Sequence, residues 1–166
     1  MLRTIEDFQK DWAYESESTL KILNALTDGS LDQKVTPSGR NLGFIAWHLT
    51  LTLGERLAHC GLKIDATAEN AECPTSAAAI AAAYEKGAKS VGEEIAKNWT
   101  DETLLETDNM YGETWPRGVT LFALIAHQAH HRGQMTVLMR QAGLTVPGVY
   151  GPSSEEWQAH GMAAPA

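Results

Sequence analysis

Four stretches of this chain repeat apolar side chains at three- and four-residue steps, and each is separated from the next by a run containing glycine or proline. That rhythm points to an all-α fold, a four-helix bundle. The first stretch runs from Ile5 to Thr27, with Ile5, Phe8, Trp12, Thr19, Leu23 and Leu26 on one stripe; Thr4 is placed to cap it and Asp28-Gly29 to stop it. A second helix is expected from its cap Asn41 to His59, closed by Gly61. A third, rich in alanine, follows Pro74-Thr75 and runs from Ser76 to Asn98, with Ile80, Tyr84, Val91 and Ile95 as its buried stripe. The fourth spans Gly118 to Gln141 and ends at Gly143.

Between the third and fourth helices the helical pattern fails. Asp108-Asn109, Gly112 and Trp115-Pro116 read as turns, with a short strand pair as the alternative. Residues 144–166 form a tail punctuated by Pro147, Gly148, Gly151 and Pro152, expected to be an ordered loop with a short turn from Ser154 to His160. The connectors before the second and fourth helices are long enough for their helices to be neighbours or to cross. A chain of 166 residues suits one domain, 1–166, with a single core and at most one site.

Composition removes several function classes. The net charge of -8, with no cluster of Lys and Arg, sets up a field that repels nucleic acid. The longest apolar run, Leu121 to Ala126, is far too short to cross a bilayer, and the start lacks the apolar stretch of a signal peptide. The expectation is a cytoplasmic protein with no membrane partner. Cys60 and Cys73 sit in no CxxC pair and are read as free thiols that serve packing.

The chemistry lies in the histidines. At ~100° per residue, His131 lies about 40° around the fourth helix from His127 and one turn along it, so both rings project from one face. Thr120, Leu124, Gln134 and Leu138 share that face, whereas His130 falls on the flank. His48 of the second helix keeps company with Phe44, Ile45 and Thr52 and is expected to point inward. A bundle can bring the two faces together, giving three neutral nitrogens and an open fourth position around one central divalent metal ion. Glu55 and His59 share His48's face, but His59 stands about 16 Å further along the axis and cannot join it on one ion. A buried histidine is also often only a hydrogen-bonded core residue, so HxxxH alone does not decide the matter. Zincins and carboxylate di-metal bundles are set aside, because Gln128 stands where HExxH needs Glu and the paired ExxH motifs are missing.

His48 in the second helix, the HxxxHRGQ run from His127 to Gln134 and the PGVYGPSSEEW tail together resemble the DinB/YfiT-like superfamily of metal-binding bundles, over essentially the whole chain. The resemblance implies His48, His127 and His131 as the metal ligands, with Arg132, Gly133 and Gln134 completing the motif. Gln134 would orient a ligand ring or polarise a bound group, or else Arg132 and Gln134 simply satisfy nearby carbonyls. Gly133, costly in mid-helix, would permit close helix approach.

The resemblance also implies a metal-dependent transferase that activates a low-molecular-weight thiol and adds it to an electrophile. Two alternatives stand beside it: a non-catalytic metal-binding stress-response dimer, and a metal-dependent hydrolase with Glu55 as general base. Imidazole ligands suit several ions, of which nickel or zinc is the expectation. A homodimer is the expected assembly.

Overall fold

A computed structural model describes residues 2–157 and 161–163 of the chain. Four α-helices carry the fold: α1 (Ile5–Asn24), α2 (Leu42–Ala58), α3 (Ala77–Asn98) and α4 (Arg117–Gln141). Their starts are chemically marked. Thr4 Oγ1 accepts from the Asp7 amide at 3.0 Å, Asn41 Oδ1 from the Phe44 amide at 2.8 Å, and Ser76 Oγ from the Ala79 amide at 3.4 Å. Each satisfies an amide that has no partner within its own helix. Gly61 and Gly143 follow α2 and α4 with φ of 75° and 74°, the left-handed conformation that lets a chain leave a helix.

The first helix is shorter than its apolar stripe predicts. It ends at Asn24, and Asp28–Ser30 forms a separate 3-10 turn whose Thr27 and Ser30 cap one another. Leu26 is still buried, so burial continued past the helix and periodicity alone extended it too far. Asp28 Oδ1 accepts from the Ala77 amide at 2.8 Å, which ties this turn to the start of α3.

α1 packs on α3 and α4, and α2 packs on the same two helices, so α1 and α2 occupy one diagonal of the bundle and α3 and α4 the other. Both long connectors therefore cross a diagonal. The second contains the strand pair that the sequence offered as an alternative: β1 (Thr107–Met110) and β2 (Glu113–Pro116) form an antiparallel hairpin, Thr107 opposite Pro116 and Met110 opposite Glu113. Met110 is fully buried and seats the hairpin on the bundle. No helix of the described residues is long and apolar enough to cross a membrane.

Ile80, Tyr84, Val91 and Ile95 of α3 are all buried, as are Phe8, Trp12 and Leu23 of α1. Trp12 stacks on Phe8 with centroids 5.9 Å apart and donates its indole N–H to the Ala88 carbonyl at 2.9 Å, so the ring is buried with its polar group satisfied. Close helix approach falls at Gly87, where an added Cβ would stand 3.0 Å from Leu53 and 3.2 Å from Ala66. It does not fall at Gly133, where an added Cβ meets nothing within 4 Å. The packing reason expected for Gly133 is thus absent from this chain's own contacts.

One buried polar network crosses the bundle. Arg132, 3% exposed, forms an ion pair with Glu15 and donates to the Glu15 carbonyl at 3.0 Å and to Thr19 Oγ1 at 2.9 Å. Tyr150 of the tail donates to the same carboxylate at 2.7 Å. Fully buried Gln128 accepts from the Tyr84 hydroxyl at 3.0 Å. The C-terminal tail is pinned further by Arg140, which grips Glu155 with two nitrogens at 2.9 and 3.1 Å, and by buried Val146. The turn expected from Ser154 to His160 reaches residues 158–160, which lie outside the described residues.

Removing one member of a buried pair leaves the other charge without compensation. Glu15→Ala should lower unfolding free energy by about 3–5 kcal/mol in urea titrations, and a cost under about 0.5 kcal/mol would contradict the burial of this pair. Gly133→Ala should raise stability by up to about 1 kcal/mol in the same assay, because the helix gains propensity and the methyl meets open space.

Candidate metal centre

His48 reaches the centre from α2, and His127 and His131 reach it from α4. Their ligand nitrogens lie within 4.8 Å of one another. His127 Nε2 stands 3.1 Å from His48 Nε2 and 3.1 Å from His131 Nε2, and the His48 ring meets the other two edge-on, 63° and 82° from coplanar. His131 is buried, whereas His48 and His127 are half-buried, so the cluster sits at the margin of the core with one side open.

Hydrogen bonding alone accounts poorly for this convergence. His131 Nδ1 lies 2.7 Å from Gln134 Oε1, an acceptor, so the ring's proton belongs on Nδ1 and its Nε2 presents a lone pair. A single hydrogen on His127 Nε2 cannot point at both neighbours, and a hydrogen on His48 leaves the contact between His127 and His131 without one. Two nitrogens bound to one zinc-like ion at about 2.0–2.1 Å and a near-tetrahedral angle stand about 3.3 Å apart, close to the observed spacing. The donor set therefore fits a divalent cation through three Nε2 lone pairs.

Electrostatics favours the neutral rings that ligation needs. Burial lowers the His127 pKa to about 3, with the neighbouring charges of His131 and Arg56 adding to the effect. Burial likewise lowers His48, assisted by His131 and Arg40 and opposed by Glu55. His131 is lowered by burial, against which its hydrogen bond to Gln134 works. The Nδ1 of His127 is enclosed without a hydrogen-bond partner among the described residues.

The remaining site candidates separate. Gln134 orients the His131 ring and offers its amide nitrogen to His130 Nε2 at 3.1 Å. Arg132, one residue from His131, points about 100° away into the ion pair with Glu15 and is not brought to the histidines. Glu55 borders the cavity beside His48 and His127, but both its oxygens accept from the Tyr111 hydroxyl, at 2.9 and 3.0 Å, and His59 stands 3.3 Å from one of them. Phe44, expected on an inward face, is 45% exposed; it stacks on His48 at 6.2 Å beneath the Arg40 guanidinium and walls the cluster from outside.

Sequence reasoning did not anticipate the hairpin's part in this site. Tyr111 and Gly112 form its two-residue loop with φ of 57° and 91°, the mirror-image turn that suits a tight hairpin and that Asn-Gly usually fills. A tyrosine there bears strain on the order of 1 kcal/mol, and it delivers its ring over a cavity of about 450 Å³ bordered by His48, His127, Thr52, Glu55 and Arg56. The available signal was the Tyr-Gly pair at the turn, legible once the strand pair is preferred.

The fold and the site define a class of helical bundles with an inward-facing histidine triad. The DinB family pattern matches residues 1–163, and the chain belongs to the DinB family. It is 47% identical over 165 residues, 99% of each chain, to the uncharacterized protein YrdA of Bacillus subtilis (strain 168). A crystal structure of a DinB-like protein from Bacillus cereus ATCC 10987 superposes with a TM-score of 0.87 at 47% identity, covering 90% of this chain and 100% of that one. The DinB-like protein YjoA of B. subtilis shares the fold alone, with a TM-score of 0.65 at 16% identity over 86% of this chain and 96% of the other.

The lowered imidazoles carry a consequence for the metal-free protein. A ring that resists protonation when folded, but titrates near 6.5 when unfolded, makes the unfolded state bind more protons as pH falls. Stability should therefore decline below about pH 6.5 and keep declining toward the folded pKa. Urea midpoints measured at about pH 7.5 and about pH 5 should diverge less in His127→Phe than in the parent protein. An equal drop in both would contradict the shifted His127 environment.

Proposed function

We propose that the protein binds one divalent ion, nickel or zinc, through His48, His127 and His131, and that it is a transferase adding a low-molecular-weight thiol to an electrophile at that centre. The observation that carries this reading is the convergence of three imidazole nitrogens, all within 4.8 Å and with His127 Nε2 standing 3.1 Å from each of the other two, beside an open cavity, where a closed structural site would fill its fourth position with protein. A bound ion would supply a Lewis acid that draws a thiol toward its thiolate, the nucleophilic form. The chain's own residues do the rest. Gln134 holds the His131 tautomer with Nε2 toward the centre, Phe44 and His48 stack to fix the His48 ring, and Tyr111 forms one wall of the cavity.

The hydrolase reading is weaker, because Glu55 is engaged by Tyr111 and His59 rather than directed at a water above the histidines. Neither cysteine offers an internal thiol for the chemistry. Burial raises the Cys60 pKa to about 11, with Asp108 adding to it, and burial raises Cys73 as well. The thiol in this proposal comes from outside. A homodimer is part of the proposal, and Leu105, Val119 and Phe122, which lie open to solvent, are apolar side chains that such an assembly would cover.

His127→Ala and His131→Ala should each abolish stoichiometric metal in untagged protein assayed by elemental analysis, while His130→Ala should retain it, since that exposed ring meets the edge of His131 and the Gln134 amide but brings no nitrogen into the three-histidine group. Full retention by both of the first two variants would end the ligand assignment. In cobalt-loaded protein, mercaptoethanol should alter the visible spectrum at neutral pH. A silent spectrum at confirmed occupancy would leave a non-catalytic, stabilising ion as the better account.

A further inference from the structure

Arg56 lies in the last turn of α2 and is only 8% exposed. Its Nε is fully enclosed with no hydrogen-bond partner, and among the described residues the guanidinium takes part in no hydrogen bond or ion pair. Its one ring contact is with Tyr111, whose centroid lies 5.9 Å from the guanidinium carbon. A buried cation normally has an anion beside it, and an aromatic face at that distance is a weak substitute. The carboxylate next in sequence, Glu55, is turned to Tyr111 and His59, and Glu69 across the same cavity is exposed. The enclosed Nε leaves the two terminal nitrogens as the guanidinium's free face, a planar pair of donors that matches the two oxygens of a carboxylate.

We infer that Arg56 is the recognition residue for a carboxylate carried by the small molecule that enters the cavity over His48 and His127. The inference rests on the reading of that cavity as the reactive centre. The charge environment selects within the oxyanions: Glu55 and Glu69 border the same space, so a singly charged carboxylate is repelled less than a phosphate dianion. The cavity's volume of about 450 Å³ suits a small organic acid rather than a polymer. Arg56 thus sets which molecule is held, and the histidine triad acts on another part of that molecule. The carboxylate anchor restricts the reactive group to the distance one small molecule can span.

The test compares mercaptopropionate with mercaptoethanol, a thiol of similar size without the acid, by titration into cobalt-loaded protein. The parent protein should bind mercaptopropionate about ten-fold or more tightly than mercaptoethanol, and in Arg56→Gln that ratio should fall to near one. Arg56→Lys, which keeps the charge but loses the paired donors, should fall between them. An undiminished ratio in Arg56→Gln overturns the inference. A second arm needs neither a variant nor a thiol: propionate added to the protein as isolated should shift the Arg56 Nε–H signal in a nitrogen-15 correlation spectrum, and phosphate should shift it less. No shift with propionate overturns the inference, and an equal shift with phosphate overturns the choice of carboxylate. If both thiols leave the cobalt spectrum unchanged while propionate moves the Arg56 signal, the thiol reading fails and the carboxylate site stands.

Discussion

The buried ion pair between Arg132 and Glu15 sets the rotation of α4, and the site depends on that rotation. Adjacent helical residues diverge by ~100°, so a helix that commits residue 132 to α1 commits residues 127 and 131 to a different neighbour. That neighbour is α2, which carries His48. Thr19, Gln128, Tyr84 and Tyr150 extend the pair across three helices and the tail, so a rotational slip of α4 would strand several buried polar groups at once. An apolar seam would tolerate such a slip more readily. The polar network thereby gives the histidines their fixed address.

The diagonal placement of the helices completes that geometry. α2 and α4 are neighbours although the chain visits α3 between them, and the connector from α3 back to α4 carries the hairpin whose tip lies over the cavity. One crossing connector thus supplies both the return path and the site's cover. The strained left-handed Tyr111 at that tip marks a place where the fold accepts a local cost and gains a wall for the cavity. Membership of the DinB family agrees with this architecture, and the histidine triad is compatible with a metal-binding protein.

Much of this was legible in the sequence because it follows from helical period and caps. The Thr4 and Asn41 caps, the buried stripe of α3 and the shared face of His127 and His131 were all readable from residue type and spacing. What escaped depends on contacts distant in sequence. Arg132 sits in the motif beside a candidate ligand, yet its direction is decided by Glu15, 117 residues away. Phe44 shares a helical face with His48, but that face lies at the bundle's edge, where an apolar ring remains exposed. Gly133 suggested a close approach that Gly87 makes instead, a difference no single-helix pattern encodes. Arg56 gave no signal, since an arginine near a helix C-terminus is ordinary until its burial without a partner is seen.

The proposed chemistry stands on three imidazole nitrogens holding one divalent ion at the meeting of α2 and α4. X-ray absorption at the metal edge of zinc-loaded, untagged protein tests it most directly, because it reports the atoms around the ion without reference to activity. The account predicts one equivalent of zinc whose first shell contains three imidazole nitrogens at about 2.0–2.1 Å, with lighter scatterers completing it. A first shell dominated by sulfur at about 2.3 Å, or imidazole scattering unchanged in His48→Ala, would contradict it.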